Sequence, residues 1–307
     1  MACMPANDYI SARARAQMIE RGFPMHQNRD YLFRDPDYSA DPAKRISYET
    51  TLDFFVEGSE LYGEVYVPGE IYERPLPTVL LVHGFPGIVS SDDLAQALCR
   101  AGFLVMRMNH RGAWNSEGSY AISGCVTDAI TLAKYAASEG AERYGVDPDR
   151  IFFCGHSMGG NTVLNATRAL PWIRGTVMMA PFDLAYVFTK QQESQLRSMI
   201  ASSDGRLLHL NTKEEQERVF RDAEAHWQSF RFTQAVQSMK DRNLLMIGGT
   251  FDRIAPVQEM IEPLWTELEK LGTAANHRKV CLPGDHGFQS CRIALIETIA
   301  DWLLELI

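Results

Sequence analysis

The run Ile151-Phe152-Phe153-Cys154-Gly155-His156-Ser157-Met158-Gly159-Gly160 decides how the rest of the chain is read. Its first four residues are apolar and β-prone, and the residues after it, Asn161 to Leu170, set Val163, Leu164, Ala166 and Leu170 on one helical face. Strand, sharp turn and helix is the predicted shape, with Ser157 at the turn. The glycines of this G-x-S-x-G leave room where side chains would strike neighbouring backbone. The helix that follows aims its free N–H groups and positive dipole end at the serine, which favours negative charge there. With Gly near 7% of an average chain, such a motif arises by chance in roughly one chain in ten of this length. Its weight therefore rests on what stands around it.

Composition narrows the classes. A length of 307 residues fits one large α/β domain carrying an insertion. A net charge of −9 makes a basic, phosphate-binding surface improbable and nucleic acid a poor partner. The six cysteines, Cys3, Cys99, Cys125, Cys154, Cys281 and Cys291, form no C-x-x-C pair, and several lie in apolar runs, the usage of buried thiols in a reducing compartment without a zinc site. No apolar run approaches the roughly 20 residues that span a bilayer. Arg13, Arg15, Gln17 and Glu20 interrupt the one candidate N-terminal helix, which is unlike a secretory signal. A soluble cytoplasmic protein is the expectation.

The periodicity then lays out the chain. Residues 1–49 read as an N-terminal arm, with an amphipathic helix over 8–22 and with Tyr31, Leu32 and Phe33 pinning it to the main domain; a dimer arm, and so a homo-oligomer, or part of the substrate entrance is the sharper alternative. Thr51 to Val56 and Leu61 to Val67 flank Glu57-Gly58-Ser59-Glu60 as a hairpin. Thr78 to Val82 is a continuous apolar run, as in a central parallel strand buried on both faces. Helix from Asp92, strand Phe103 to Met108, helix from Val126, strand Ile151 to Cys154, helix from Met158 and strand Thr176 to Met179 repeat βα and predict a parallel sheet. Residues 183–241 carry helical pattern without a strand, opened at their best helix by the capping box Thr212-Lys213-Glu214-Glu215, and read as an inserted helical cap. Strands Leu244 to Ile247 and Lys279 to Leu282, with helices from Val257 and Arg292, complete a core of residues 50–182 and 242–307.

Three features align with Ser157. His83-Gly84-Phe85-Pro86-Gly87 follows the central strand, where an oxyanion loop would offer the backbone N–H groups of Phe85 and Met158; each preorganised donor is worth roughly 3 to 4 kcal/mol. Asp252 stands just past the strand that ends Gly248-Gly249, at the sheet edge where catalytic groups gather, with Asp183, one strand earlier, as the rival acid. His286, in Pro283-Gly284-Asp285-His286-Gly287, follows the last strand. Chain order Ser, Asp, His assigns Ser157 as nucleophile, His286 as base and Asp252 as the acid that orients it. His277 falls at the opposite edge, and His156 reads as packing beside the serine.

Through these residues the chain resembles the α/β-hydrolase superfamily, from about Thr50 to its end. The resemblance implies a mostly parallel eight-stranded sheet flanked by helices, with an inserted cap. It also implies a serine hydrolase cleaving a small-molecule acyl substrate, foremost a carboxylic ester, through an acyl-enzyme intermediate and with no metal or organic cofactor. Serine at the turn, where haloalkane dehalogenases and epoxide hydrolases of the superfamily carry aspartate, argues against those reactions. Arg111-Gly112-Ala113-Trp114-Asn115-Ser116 resembles the R-G-x-G-x-S segment of many members and departs from it at Trp114, where glycine is usual. Trp114, Tyr186, Phe188 and Trp227 are candidates for the substrate pocket, with Leu184, Phe230 and Phe232 as further apolar wall. The same triad serves an aminopeptidase or amidase, in which Glu193, Glu214 or Glu224 would hold an amine, and equally a thioesterase or acyltransferase. The non-enzyme alternative is a catalytically silent ligand-binding protein.

Overall fold

A computed structural model describes residues 25–39, 43–89, 91–272 and 277–307. One eight-stranded sheet runs through it in the order β1-β2-β4-β3-β5-β6-β7-β8. β1 (Tyr48–Val56) and β2 (Ser59–Val67) form the antiparallel hairpin at one edge. Its turn is Glu57-Gly58, both at positive φ, the backbone that matches strand twist in a two-residue hairpin. β2 lies antiparallel to β4 (Leu104–Met108), and every later pairing, through β3 (Leu76–Val82), β5 (Val146–His156), β6 (Gly175–Met179), β7 (Leu244–Gly249) and β8 (His277–Leu282), is parallel.

All seven residues of β3 are buried, as its uninterrupted apolar run requires. Alternate residues of each strand enter two different cores. Leu80, Val82, Phe153, Leu244 and Met246 face the helices α2 (Ile122–Ala137), α4 (Met158–Ala169) and α10 (Glu262–Leu271). Val79, Leu81, Phe152, Cys154, Leu245 and Ile247 face α1 (Asp92–Arg100) and α11 (Arg292–Leu304). Helices on both faces leave the carboxyl ends of the parallel strands as one open edge, and the loops after β3, β5, β7 and β8 all emerge there.

Between β6 and β7 the chain makes α5 (Ala185–Thr189), α6 (Glu193–Ala201), α7 (Lys213–Phe230) and α8 (Val236–Met239). The capping box of α7 forms as read: Thr212 accepts from the Glu215 amide, and Glu215 accepts from that of Thr212. A third apolar cluster joins these helices to the core, with Leu184, Val187, Leu196, Val219, Phe220 and Ala223 against Met158, Ala113 and Tyr120.

Several boundaries move. The helix expected from Val126 begins at Ile122, because Ile122 and Cys125 extend the buried face formed by Ala129 and Leu132 past Gly124. A short helix, α3 (Glu139–Tyr144), unread in the periodicity, closes on Gly145. The helix from Val257 divides into α9 (Val257–Met260) and α10. Leu32 is fully buried, whereas Phe33, expected to pin the arm beside it, is 47% exposed, since the turn that inserts Leu32 faces its neighbour outward. The helix expected over residues 8–22 lies outside the described residues.

Candidate active site

β5 stops at His156, and α4 starts at Met158, so Ser157 alone makes the turn. It adopts φ 56° and ψ −120°, a sparsely populated region that a side chain occupies only when the surroundings impose it. Those surroundings are packed backbone. A Cβ on Gly155 would stand 2.2 Å from the Gly159 carbonyl O, and one on Gly159 would stand 2.3 Å from that of Val82. Only glycine permits β5, the start of α4 and the end of β3 to approach so closely.

The loop after β3 lies against this turn. A Cβ on Gly84 would be 2.8 Å from Ser157 Cβ and 3.2 Å from the Met158 nitrogen. The Phe85 amide therefore follows directly on a residue touching the serine, and the Met158 amide opens α4, where the first N–H groups have no partner within the helix. Neither amide donates to a loop or turn carbonyl among the described residues. His83, buried, fixes the loop from behind: its Nδ1–H donates to the Gly84 carbonyl at 2.7 Å, and its Nε2 accepts from the His110 amide at 3.3 Å. Burial and the neighbouring His110 lower its pKa to about 3, so the ring is neutral.

Asp252 and His286 meet. The His286 Nδ1–H donates to Asp252 Oδ2 at 2.8 Å, while Asp252 Oδ1 accepts from the amides of Ile254 and Ala255, each at 2.8 Å. Burial raises the Asp252 carboxyl, but the His286 bond and the two amides outweigh it and hold the pKa below the ordinary aspartate value. The carboxylate stays charged and leaves His286 Nε2 as the free acceptor. His156, beside the serine, donates from Nε2 to the His286 carbonyl at 2.7 Å, and the two rings lie 4.8 Å apart. The residue read as packing thus fastens the histidine loop to the serine turn.

Asp183, the rival acid, is committed elsewhere. Its Oδ1 accepts from the Ala185 amide at 2.9 Å and its Oδ2 from the Phe232 amide at 3.1 Å, so it ties the two ends of the inserted helices together. His277 opens β8 at the far edge and donates to the Met239 carbonyl.

The pocket candidates separate. Phe188 stacks on Trp227 with centroids 5.6 Å apart and packs on Phe220, in the cluster that also holds Phe85, Leu184, Phe230 and Met158. Tyr186, two residues from Phe188 on a helix, faces the other way and lines a cavity of about 490 Å³ with Lys190, Arg231 and Gln258. Phe232 is buried in the core beneath the sheet rather than in this wall. Trp114 is 40% exposed and donates from Nε1 to the Gly87 carbonyl at 3.3 Å.

Behind Trp114, Asp128 receives the Arg111 amide at 3.1 Å and its Nε at 2.6 Å, and its Oδ2 lies 3.4 Å from His110 Nδ1. This buried carboxylate passed unnoticed in the sequence. Its signal was a charged residue on the apolar face of α2, between Cys125 and Leu132.

A mostly parallel eight-stranded sheet with a serine at the β5–α4 turn and a histidine–aspartate pair at the same edge defines the α/β-hydrolase class. Residues 73–226, half of the chain, match the family model described as serine aminopeptidase, S33. The chain belongs to that family of hydrolases. It is 26% identical over 262 residues to the uncharacterized protein YfhR of Salmonella typhi, covering 81% of this chain and 77% of that one. It is 26% identical over 133 residues to human arylacetamide deacetylase-like 4, covering 40% of this chain and only 31% of the human protein's length. Brefeldin A esterase, described as a bacterial homologue of human hormone-sensitive lipase, superposes with a TM-score of 0.60 at 17% identity, over 99% of this chain and 88% of its own. Among the described residues, no helix is long and apolar enough to cross a membrane.

Proposed function

We propose that the protein cleaves a carboxylic ester through an acyl-enzyme intermediate, with Ser157 as nucleophile, His286 as general base and Asp252 as its orienting acid. The observation that carries this reading is the 2.8 Å bond from His286 Nδ1 to a buried, charged Asp252, on a loop fastened to the serine turn by His156. His286 Nε2 takes the proton of Ser157 as its Oγ attacks the carbonyl carbon. The tetrahedral oxyanion forms between the amides of Phe85 and Met158. His286 then returns the proton to the departing alcohol, and water repeats the sequence to release the acid. The inserted helices, residues 183–241, act as a cap over this edge, with Phe188 and Trp227 in its wall.

The structural relative described as an esterase and the relative described as a deacetylase-like protein both support acyl chemistry. The family's description favours an aminopeptidase as the second reading. That reading needs a carboxylate to hold the substrate amine, and of the three candidates Glu214 and Glu224 are exposed to solvent and Glu193 is half-buried. A panel of acyl esters of graded length, aminoacyl amides and thioesters decides between them. Ester turnover that falls by several orders of magnitude in Ser157→Ala, with loss of fluorophosphonate labelling, is expected. Amide turnover exceeding ester turnover would replace the esterase reading, and an unlabelled wild type would replace both.

A further inference from the structure

Trp114 occupies the left-handed region at φ 51°. A bulky residue there is a true outlier, and such strain persists only where other contacts impose it. Those contacts run in two directions. Toward the inserted helices, the Trp114 amide donates to the Leu207 carbonyl at 2.9 Å, its own carbonyl accepts from His209 Nε2 at 2.8 Å, and Ala113 forms an antiparallel bridge with Leu208. Toward the loop after β3, the indole Nε1 donates to the Gly87 carbonyl. The fit on that side is close: a Cβ on Gly87 would stand 3.1 Å from both Trp114 Nε1 and His83 Nδ1.

The loop from Gly84 to Gly87 is consequently held at both ends by ring N–H donors. His83 grips the Gly84 carbonyl and Trp114 grips the Gly87 carbonyl, with the Phe85 amide between them. We propose that Trp114 is a positioning residue that sets the Phe85 amide in the oxyanion hole and makes its placement depend on the seating of the inserted helices. This inference rests on the ester-cleaving assignment above. Glycine at this position would relax the backbone and keep both main-chain bonds to Leu207 and His209, so the indole is the one element that a substitution to glycine removes.

Trp114→Gly and Trp114→Phe test it, with the ester panel, thermal unfolding and fluorophosphonate labelling measured together. A donor that acts on the oxyanion lowers kcat and kcat/KM by the same factor. A fall of roughly tenfold to a hundredfold is expected in both variants, below the full loss of one oxyanion donor, equal for short and long acyl chains, with Trp114→Gly no less thermostable than wild type. A loss confined to KM, or one that grows with acyl length, would make Trp114 a wall of the pocket and overturn the inference. So would kcat within twofold of wild type in both variants. Labelling of Ser157 keeps the outcomes apart: if the wild type itself does not label, the nucleophile assignment fails, whereas labelled variants with unchanged turnover refute the role of Trp114 alone. Should Trp114→Gly not fold, Trp114→Phe, which keeps an aromatic ring and loses the donor, decides.

Discussion

His156 holds His286 by its main chain: the Nε2–H of one ring donates to the carbonyl of the other residue at 2.7 Å, and the rings stand 4.8 Å apart. The residue preceding the serine therefore fixes the loop carrying His286, and strain at Ser157 and position at His286 are set by one short stretch of backbone. His156→Ala removes that bond and leaves the partly buried carbonyl without its ring donor, at a cost of about 1 kcal/mol. Ester kcat should fall at least tenfold in His156→Ala, and His156→Gln, whose side-chain amide can still donate, should recover most of it. Equal loss in both variants would show that ring packing, not the bond, does the positioning.

The same burial makes His156 a source of acid sensitivity. Burial, with the adjacent His286, lowers its pKa to about 4, against roughly 6.5 in an unfolded chain. Between those values the unfolded state binds a proton that the folded state refuses, so stability rises with pH and is lost as pH falls from about 6.5 toward about 4. Protonating the ring in the folded state costs on the order of 3 kcal/mol, and that loss is complete only below the folded value. His83, lowered to about 3, extends the loss to lower pH. Asp252, a carboxyl held low, contributes stability that is present above its unfolded value and disappears as pH falls through its folded one. Denaturant unfolding from pH 4 to pH 8 should show this slope, shallower in His156→Gln; identical slopes would assign the acid sensitivity to other groups.

Two buried aspartates at one sheet edge should behave oppositely. Asp252→Asn offers His286 an amide and removes the charge that stabilises the imidazolium, so kcat should fall by roughly three to four orders of magnitude, far out of proportion to the modest stability lost with the charge. Asp183→Asn places an N–H₂ group against one of two amide donors, Ala185 or Phe232, and should cost about 1 to 3 kcal/mol and hasten proteolysis within residues 185–239. Kinetics and limited digestion of the two variants read this directly. A kcat collapse in Asp183→Asn with Asp252→Asn unaffected would exchange the two roles.

What the sequence disclosed and what it withheld follow from the range of the interactions. β3, β5 and α4 were legible because apolar runs and glycine spacing are local signals, and the gathering of Ser157, Asp252 and His286 at one sheet edge because loops after parallel strands emerge together. Chain order already favours Asp252 over Asp183, but the bond that joins Asp252 to His286 spans 34 positions and only the fold displays it. Asp128 bonds Arg111 across 17 positions and His156 bonds His286 across 130. Neither distance leaves a periodic trace. Trp114 was visible as a departure from R-G-x-G-x-S, but its contacts lie on Gly87 and Leu207, far along the chain on either side.

The close approach at the serine turn yields the sharpest stability expectation. Gly155 lies in β5 with the first turn of α4 folded back upon it, and a methyl group there would stand 2.2 Å from the Gly159 carbonyl O and 2.5 Å from its carbonyl carbon. Both are backbone atoms in the first turn of α4, so no side-chain rotation relieves the clash. Gly155→Ala must push α4 from β5, moving Ser157 and the Met158 amide together. The penalty should exceed the ordinary 1 to 3 kcal/mol of an overpacked core, because backbone rather than side chains must shift. Gly272, at φ 60° with no heavy atom within 4 Å of where a methyl would stand, is the control: Gly272→Ala carries only the strain of its backbone angle, about 1 to 2 kcal/mol. Thermal unfolding of the pair should place Gly155→Ala well below Gly272→Ala, with fluorophosphonate labelling lost in the first and kept in the second. Equal midpoints, with labelling intact in both, would mean that the serine turn has slack that its packing does not reveal.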